Sequence, residues 1–123
     1  MSEEDREIFL TPEEVFKLPE EVRKGIANRI PNNWHIIKSL ALDLLFTGTT
    51  KTKAEMDQYA KEAWHWTAYS PWYVLPGYLK LYGIETEYVR RVENHIDFSY
   101  YKLKGVRIKE SELKALLEHA GKR

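Results

Sequence analysis

Residues 78–117 read YLKLYGIETEYVRRVENHIDFSYYKLKGVRIKESELKALL and dominate the predicted architecture of this chain. Apolar side chains recur at helical spacing on both sides of Gly83, in the segments YLKLY and IETEYVRRV. Glycine enters a sharp turn at low cost because it tolerates a positive φ. The pattern therefore predicts two helices, over residues 76–82 and 85–94, that cross at a steep angle around Gly83.

The rest of this stretch predicts a β-hairpin and a closing helix. Residues 96–101 and 106–108 are rich in aromatic and β-branched side chains, and a segment containing Gly105 separates them. Such composition is typical of two short strands joined by a turn. Residues 111–119 place leucines on one face, as an amphipathic helix does.

The preceding part of the chain predicts a layer of helices. Thr11, Pro12 and Glu14 form a capped helix start, and Pro19 interrupts that helix. Residues 34–46 are strongly apolar and are expected to form the buried central helix. Thr52 and Glu55 repeat the capping pattern and open a helix over residues 53–67.

These elements together predict the fold class and the domain organisation. We expect a mainly α protein with an N-terminal helical layer, residues 11–67, packed on a winged helix-turn-helix-like part, residues 71–120, that carries a small β-hairpin. Residues 1–10 are expected to be a flexible acidic N-terminus, and residues 11–123 a single globular domain. The residues expected in the core are Leu40, Leu44, Leu45, Trp64, Leu81, Val89, Val92 and Leu116.

The composition narrows the class of protein. The chain has 123 residues, no cysteine and a net charge of zero. We therefore expect one domain without disulfides or zinc–thiolate sites. No apolar run approaches the roughly 18 residues that a membrane span needs, and the acidic start does not resemble a signal peptide. We expect a soluble cytoplasmic protein.

The zero net charge hides an uneven distribution. Residues 1–21 carry eight acidic and two basic side chains, a net charge of −6, which leaves +6 on residues 22–123. Residues 88–109 concentrate the cations, and such a cluster attracts a phosphate backbone. A solvated face of mixed charge has the same composition. We expect the acidic segment to fold over the basic face and to compete with DNA there.

Three segments in order, LKLYGI at 79–84, YVRRV at 88–92 and GVRIKESEL at 105–113, carry a resemblance to a known class. From Pro76 to residue 117 the chain resembles the winged helix-turn-helix domains of the excisionase and MerR-like class. The resemblance implies that residues 85–94 form a recognition helix and that the hairpin forms the wing. It also implies a small protein that binds double-stranded DNA, as a transcription regulator or a recombination accessory factor, and that acts as a homodimer.

The same resemblance assigns roles to individual side chains. Arg90 and Arg91 are expected at phosphates or a guanine edge, and Asn94 at an adenine or a phosphate. The basic side chains of the wing are expected at the DNA backbone. The full set of expected DNA-binding residues is Thr86, Tyr88, Arg90, Arg91, Asn94, Lys102, Lys104 and Arg107.

An alternative function is a protein-interaction or assembly module, such as a viral or multisubunit structural component without catalysis. Aromatic side chains concentrate in residues 59–82. They form either an exposed surface, which stacks on bases or binds a partner protein, or the buried joint between the two parts of the chain. Light scattering separates the hypotheses, because a large defined oligomer without DNA favours assembly.

No pattern in the sequence indicates an enzyme. The motif Glu62-x-x-His65 is half of a di-iron motif, but no second copy occurs. The serines lack the surroundings of a nucleophile, and the sequence shows no set of nucleophile, base and orienting group. We therefore expect no catalytic residue, no metal site, no cofactor and no small-molecule substrate.

Overall fold

The computed structural model describes residues 5–64 and 70–121, and the described part is a mixed α/β structure. The prediction of a mainly α protein with one small hairpin is wrong, because a three-stranded sheet forms one side of the core. The elements in chain order are β1 (Glu7–Leu10), α1 (Pro12–Phe16), α2 (Glu20–Ala27), a 3₁₀ turn (Asn32–Trp34), α3 (His35–Thr47), α4 (Lys53–Trp64), α5 (Pro71–Leu81), β2 (Ile84–Val89), β3 (Val92–Glu93), β4 (Ile96–Asp97), β5 (Tyr100–Lys109) and α6 (Glu110–Gly121).

The N-terminal helices begin where the sequence places their caps. Thr11 and Glu14 exchange hydrogen bonds at the start of α1, and Thr52 and Glu55 do the same before α4. Such a capping box satisfies backbone N–H groups that have no partner inside the helix. Pro19 separates α1 from α2. The predicted helix starts and the predicted break are therefore confirmed.

Helix α3 occupies the centre of the core, as its apolar sequence predicts. It ends at Gly48, whose φ of 87° is the left-handed conformation and whose N–H donates to the Leu44 carbonyl at 2.9 Å. Six of its side chains are buried: Ile36, Ile37, Leu40, Ala41, Leu44 and Leu45. The predicted central helix is confirmed.

Strand β5 is the middle strand of the antiparallel sheet, whose order is β1-β5-β2. Strand β1 pairs with its C-terminal half, from Glu7 opposite Lys109 to Leu10 opposite Val106. Residues 7–10 are thus an ordered edge strand and not a flexible end. The inner face of the sheet packs on the helices through five buried side chains: Leu10, Ile84, Leu103, Val106 and Ile108.

The recognition helix predicted over residues 85–94 is wrong, since residues 84–89 form β2. The segment IETEYV alternates apolar and charged side chains with a period of two, and it is rich in residues that favour strands. Pairing with β5 therefore wins over the helical spacing. Gly83, at φ 80°, is the turn between helix α5 and strand β2 and not between two helices.

Two further predictions for residues 71–109 are also wrong. The turn predicted around Gly105 is absent, because β5 continues through it. Helix α5 begins at Pro71 and not at Pro76, since Ser70 caps it by accepting a hydrogen bond from the Trp72 N–H at 3.3 Å. Helix α6 is close to its predicted range.

Several residues expected in the core lie elsewhere. Leu81 is 70% exposed and Val92 is 47% exposed. Val89 is half-buried at the end of β2, and Leu116 packs against the edge of the core. The side chain of Trp64 lies outside the described residues.

Arg29, two residues after the end of α2, links that helix to one end of the sheet, where the Arg107 N–H donates to the Gly83 carbonyl at 2.7 Å. Its guanidinium donates to the backbone carbonyls of Tyr82 and Arg107 and pairs with Glu112 at 3.3 Å. The side chain is only 19% exposed. Because a buried charge needs such partners, Arg29 fixes α2, α6 and the turn before β2 relative to one another.

Every helix within residues 5–64 and 70–121 is too short or too polar to cross a lipid bilayer.

Candidate interaction surface on the long hairpin

The residues predicted to bind DNA all lie on one long hairpin, which runs from β2 through the ribbon β3–β4 to β5. We call residues 90–99 the distal hairpin and the paired segments 84–89 and 100–109 the proximal hairpin. The sequence therefore located a single region of the molecule, but the region is a β-hairpin and not a helix followed by a wing.

The predicted residues point in different directions on this hairpin. Thr86 and Tyr88 pair with Leu103 and Tyr101, on the face of the sheet that packs against the helices. Lys102 and Arg107 lie on the opposite, outer face. A single flat DNA surface would need these side chains on one side, so the hairpin does not bring the set together. The remaining members, Arg90, Arg91, Asn94 and Lys104, are exposed.

Cations and carboxylates balance on the outer face of the proximal hairpin and β1. Arg107 pairs with Glu85 and lies 3.9 Å from Glu7, and Lys102 lies 3.5 Å from Glu87. Opposite charges on neighbouring strands attract, and each cation so held is less available to a phosphate. The charged residues of this face are Glu7, Glu85, Glu87, Lys102, Arg107 and Lys109.

The acidic N-terminal segment contributes to this balance. Asp5 accepts hydrogen bonds from Lys109 at 3.4 Å and from the Ser111 hydroxyl at 2.6 Å. The bond from Ser111, and then the one from Lys109, lower the pKa of Asp5 below its ordinary value. Asp5 and Glu7 thus contact Lys109 and Arg107 from the edge of the sheet, and folding of the acidic segment over the basic face in competition with DNA stays a prediction.

The cations of the distal hairpin are less constrained. Arg91 pairs with Glu93 at 3.2 Å, and both side chains are more than half exposed. Among the described residues, neither Arg90 nor Lys104 has an ion pair or a hydrogen bond through its side chain. Exposed pairs contribute at most about 1 kcal/mol. Of the cations in the predicted set, only Arg90 and Lys104 have no ion pair among the described residues. The charge of Arg90 also acts on Asp97, whose pKa is lowered first by hydrogen bonds from Ser99 and then by this charge.

A two-residue turn closes the distal hairpin. Asn94 and His95 have φ values of 50° and 66°, as the two central residues of a type I′ hairpin turn do. Val92 lies opposite Asp97, and Glu93 opposite Ile96. Hydrogen bonds from Ser99 lower the pKa of Asp97 below its ordinary value of 3.8.

The distal hairpin exposes apolar side chains at its end. Residues 90–97 are all exposed, and within them Val92 is 47% and Ile96 57% exposed. Cross-strand partners share a face, so the register places Val92 and Ile96 on opposite faces of the ribbon. Val92 was predicted to be buried, and the sequence reading missed Ile96. The Asn-His pair between two short β-prone segments is the signal that could have identified this turn.

An aromatic cluster anchors the base of the distal hairpin to α5. Trp72 and Tyr101 have ring centroids 4.3 Å apart, and Tyr88 lies 6.2 Å from Trp72. Pro76 lacks an N–H, so the Trp72 carbonyl one turn earlier cannot bond within the helix. The Tyr101 hydroxyl donates to that carbonyl at 3.3 Å. Burial raises the pKa of Tyr101 above its ordinary value.

A second group of aromatic rings shows whether the aromatic side chains are buried between the two parts of the chain or exposed. Trp34 stacks near Tyr78 with centroids 4.5 Å apart and near Tyr82 at 5.9 Å. These rings form a joint between the helices and the start of the sheet, as one of the two interpretations predicts. Tyr73, at 72% exposure, does not take part in a buried joint. Trp66 and Tyr69 lie outside the described residues.

A shallow groove lies between α1 and the proximal hairpin. It has a volume of about 530 Å³, and Phe16, Gly48, Leu103 and Lys104 are among the residues that line it. Phe16 is 41% exposed there. A Cβ at Gly48 would come within 2.9 Å of the Phe16 ring, so the glycine leaves room for that ring.

Within residues 5–64 and 70–121, no three histidine, aspartate or glutamate side chains are grouped in a way that could hold a metal ion. His65 of the half di-iron motif lies outside this part of the chain. Ser99 is buried and accepts a hydrogen bond from the Arg91 N–H at 3.0 Å. Ser99 therefore holds the two strands of the distal hairpin together.

Comparisons with protein-family models, with curated proteins and with solved structures find no match to this chain. A function is therefore inferred from the charge, exposure and shape of the surfaces of this chain.

Proposed function

We propose that this chain is an assembly module, a small structural component that associates with further copies of itself through its distal hairpin. The observation that carries the proposal is the exposure of Val92 and Ile96 at the end of an ordered ribbon. Side chains of this kind are buried when a partner is bound, and an ordered ribbon loses little conformational freedom on binding.

The energetic comparison favours apolar contact over electrostatic contact. Burying the exposed half of Val92 and of Ile96 would contribute about 1 kcal/mol each. An exposed pair such as Arg91–Glu93 contributes between zero and about 1 kcal/mol. The net charge of zero also gives no general attraction to a polyanion. Association through the distal hairpin is therefore driven mainly by its apolar side chains.

Sedimentation velocity over a range of concentrations tests the proposal. The wild-type chain is expected to associate, and the double variant Val92→Thr, Ile96→Thr to associate at least about tenfold more weakly, since threonine keeps the β-branched shape and loses apolar area. Leu81→Gln is the matched control, because Leu81 is also exposed but lies outside the hairpin. A monomeric wild type, or equal loss in the control, would contradict the proposal.

Binding of duplex DNA is the second candidate, and the free side chains of Arg90 and Lys104 favour it. Two phosphate contacts predict weak binding whose affinity falls with salt with a logarithmic slope of about −2. A gel shift with random duplex at two salt concentrations tests this, with Arg90→Ala and Lys104→Ala expected to abolish the shift. Binding that does not depend on salt, or no binding at low salt, would reject it.

A further inference from the structure

The groove beside α1 is the second unexplained surface of this chain, and its chemistry matches that of the distal hairpin. Phe16 is 41% exposed at its side, and Leu103 and Gly48 also line it. The distal hairpin does not fill the groove of its own chain, because Val92 and Ile96 remain exposed. Each copy thus presents a ribbon with one exposed apolar side chain on each face and a groove with an apolar wall.

We propose that the distal hairpin of one copy inserts into the groove beside α1 of a second copy, with Ile96 against Phe16. The strand register places Ile96 and Glu93 on one face of the ribbon and Val92 and Asp97 on the other. The proposal rests on the assembly function above and assigns the surface that receives the hairpin. The turn at Asn94 and His95 fixes the shape of the inserted end, so binding orders few further residues.

The charges around the two surfaces are complementary. Lys104 lines the groove and has no side-chain partner among the residues that the structure describes, whereas Lys102 and Glu87, which also line it, pair with each other at 3.5 Å. On the face of the ribbon that carries Ile96, Glu93 is held only by an exposed pair with Arg91. An inserted hairpin would bring this carboxylate to a lysine that lacks one, and complementary charge of this kind fixes the register of an interface.

The symmetry of such a contact follows from its two different surfaces. A hairpin in a groove is a heterologous contact, so each added copy leaves one hairpin and one groove free. Assembly then continues until a ring closes or a filament grows. A contact between two identical patches would instead stop at a dimer.

Two complementary variants of the full chain test this arrangement. The double variant Val92→Thr, Ile96→Thr removes the exposed apolar side chains of the hairpin. Phe16→Ser removes the apolar wall of the groove. Sedimentation velocity of the wild type is expected to show species larger than a dimer as concentration rises. Each variant alone is expected to be monomeric, and an equimolar mixture to form a dimer and nothing larger, because one functional hairpin meets one functional groove.

The other outcomes separate the two proposals. If the wild type assembles but the mixture stays monomeric, or if either variant assembles alone, the pairing of hairpin and groove is wrong and the assembly function stands. If the wild type is monomeric at every concentration, both are wrong.

A charge exchange gives the same test without changing an apolar residue. Lys104→Glu and Glu93→Lys should each weaken association severalfold, since each places like charges together. Their equimolar mixture should restore it, because every contact between unlike copies is again attractive. Failure of the mixture to recover, when both variants show the wild-type circular dichroism and melting curve, would overturn the proposal.

Discussion

The proximal and distal halves of the long hairpin have similar compositions but hold their side chains differently. In the proximal half, β5 pairs with β2 over residues 100–106 and with β1 over residues 106–109, and one face of it is buried against the helices. In the distal half, each of β3 and β4 pairs only with the other, and residues 90–97 are all exposed. The comparison shows that packing of one face against the core, more than residue type, decides which half is buried and which half is exposed.

The turn that orients the proximal hairpin provides the largest expected effect. At Gly83, with φ 80°, an added Cβ would overlap the Arg107 carbonyl. Gly83→Ala should therefore lower the free energy of unfolding by about 3 kcal/mol, measured by urea denaturation.

Gly77 is the matched control for this change. It lies inside α5, and a Cβ there would meet no atom within 4 Å. Gly77→Ala should leave the protein unchanged or stabilise it by up to about 1 kcal/mol, because alanine favours a helix. Equal losses at Gly83 and Gly77 would show that the turn does not set the position of the hairpin.

Ion pairs provide a smaller effect that compares the two halves directly. A double-mutant cycle on Glu85 and Arg107 should give a coupling energy of about 1 kcal/mol, since the Glu85 side chain is only 16% exposed. The same cycle on Arg91 and Glu93, both more than half exposed, should give a value near zero. A larger coupling in the distal pair would reverse the proposed difference between the halves.

The smallest effect concerns the protonation of the distal hairpin. Hydrogen bonds from Ser99 lower the pKa of Asp97 below its ordinary value of 3.8. These bonds therefore stabilise the folded protein fully at a pH above 3.8, and the stabilisation is lost as the pH falls through the lowered pKa. In an NMR titration, Ser99→Ala should move the pKa of Asp97 back up towards that value.

Asp5 serves as the internal control in the same titration. Its pKa is lowered by Ser111 and Lys109 at the far edge of the proximal hairpin, so it should not change in Ser99→Ala. A shift of both carboxylates would indicate a general loss of structure and would contradict a local role for Ser99.

The local signals in the sequence predicted the helices well. The capping boxes at Thr11 and Thr52 and the break at Pro19 are confirmed, because each depends on residues within a few positions of one another. The apolar run of residues 34–46 was also sufficient by itself to predict helix α3. These features need no knowledge of distant parts of the chain.

The strands were missed because their pairing is not local. Residues 84–92 fit a helical spacing as well as a spacing of two, and only the presence of β5 as a partner decides between them. Likewise, the bond from Arg29 to Tyr82 joins residues 53 positions apart. The sequence grouped the basic residues of the hairpin but could not show that carboxylates would hold Lys102 and Arg107 there.

The contact between Asp5 and Lys109 links residues 104 positions apart, which has a consequence for how this protein forms. During synthesis, β1 leaves the ribosome long before β5 exists, so the first strand must wait without its partner. Contacts between such distant residues slow folding, and an unpaired strand edge invites association with other chains. The nascent chain therefore passes through a stage in which the edge of β1 that later pairs with β5 is open. A chaperone that shields extended segments should raise its folding yield.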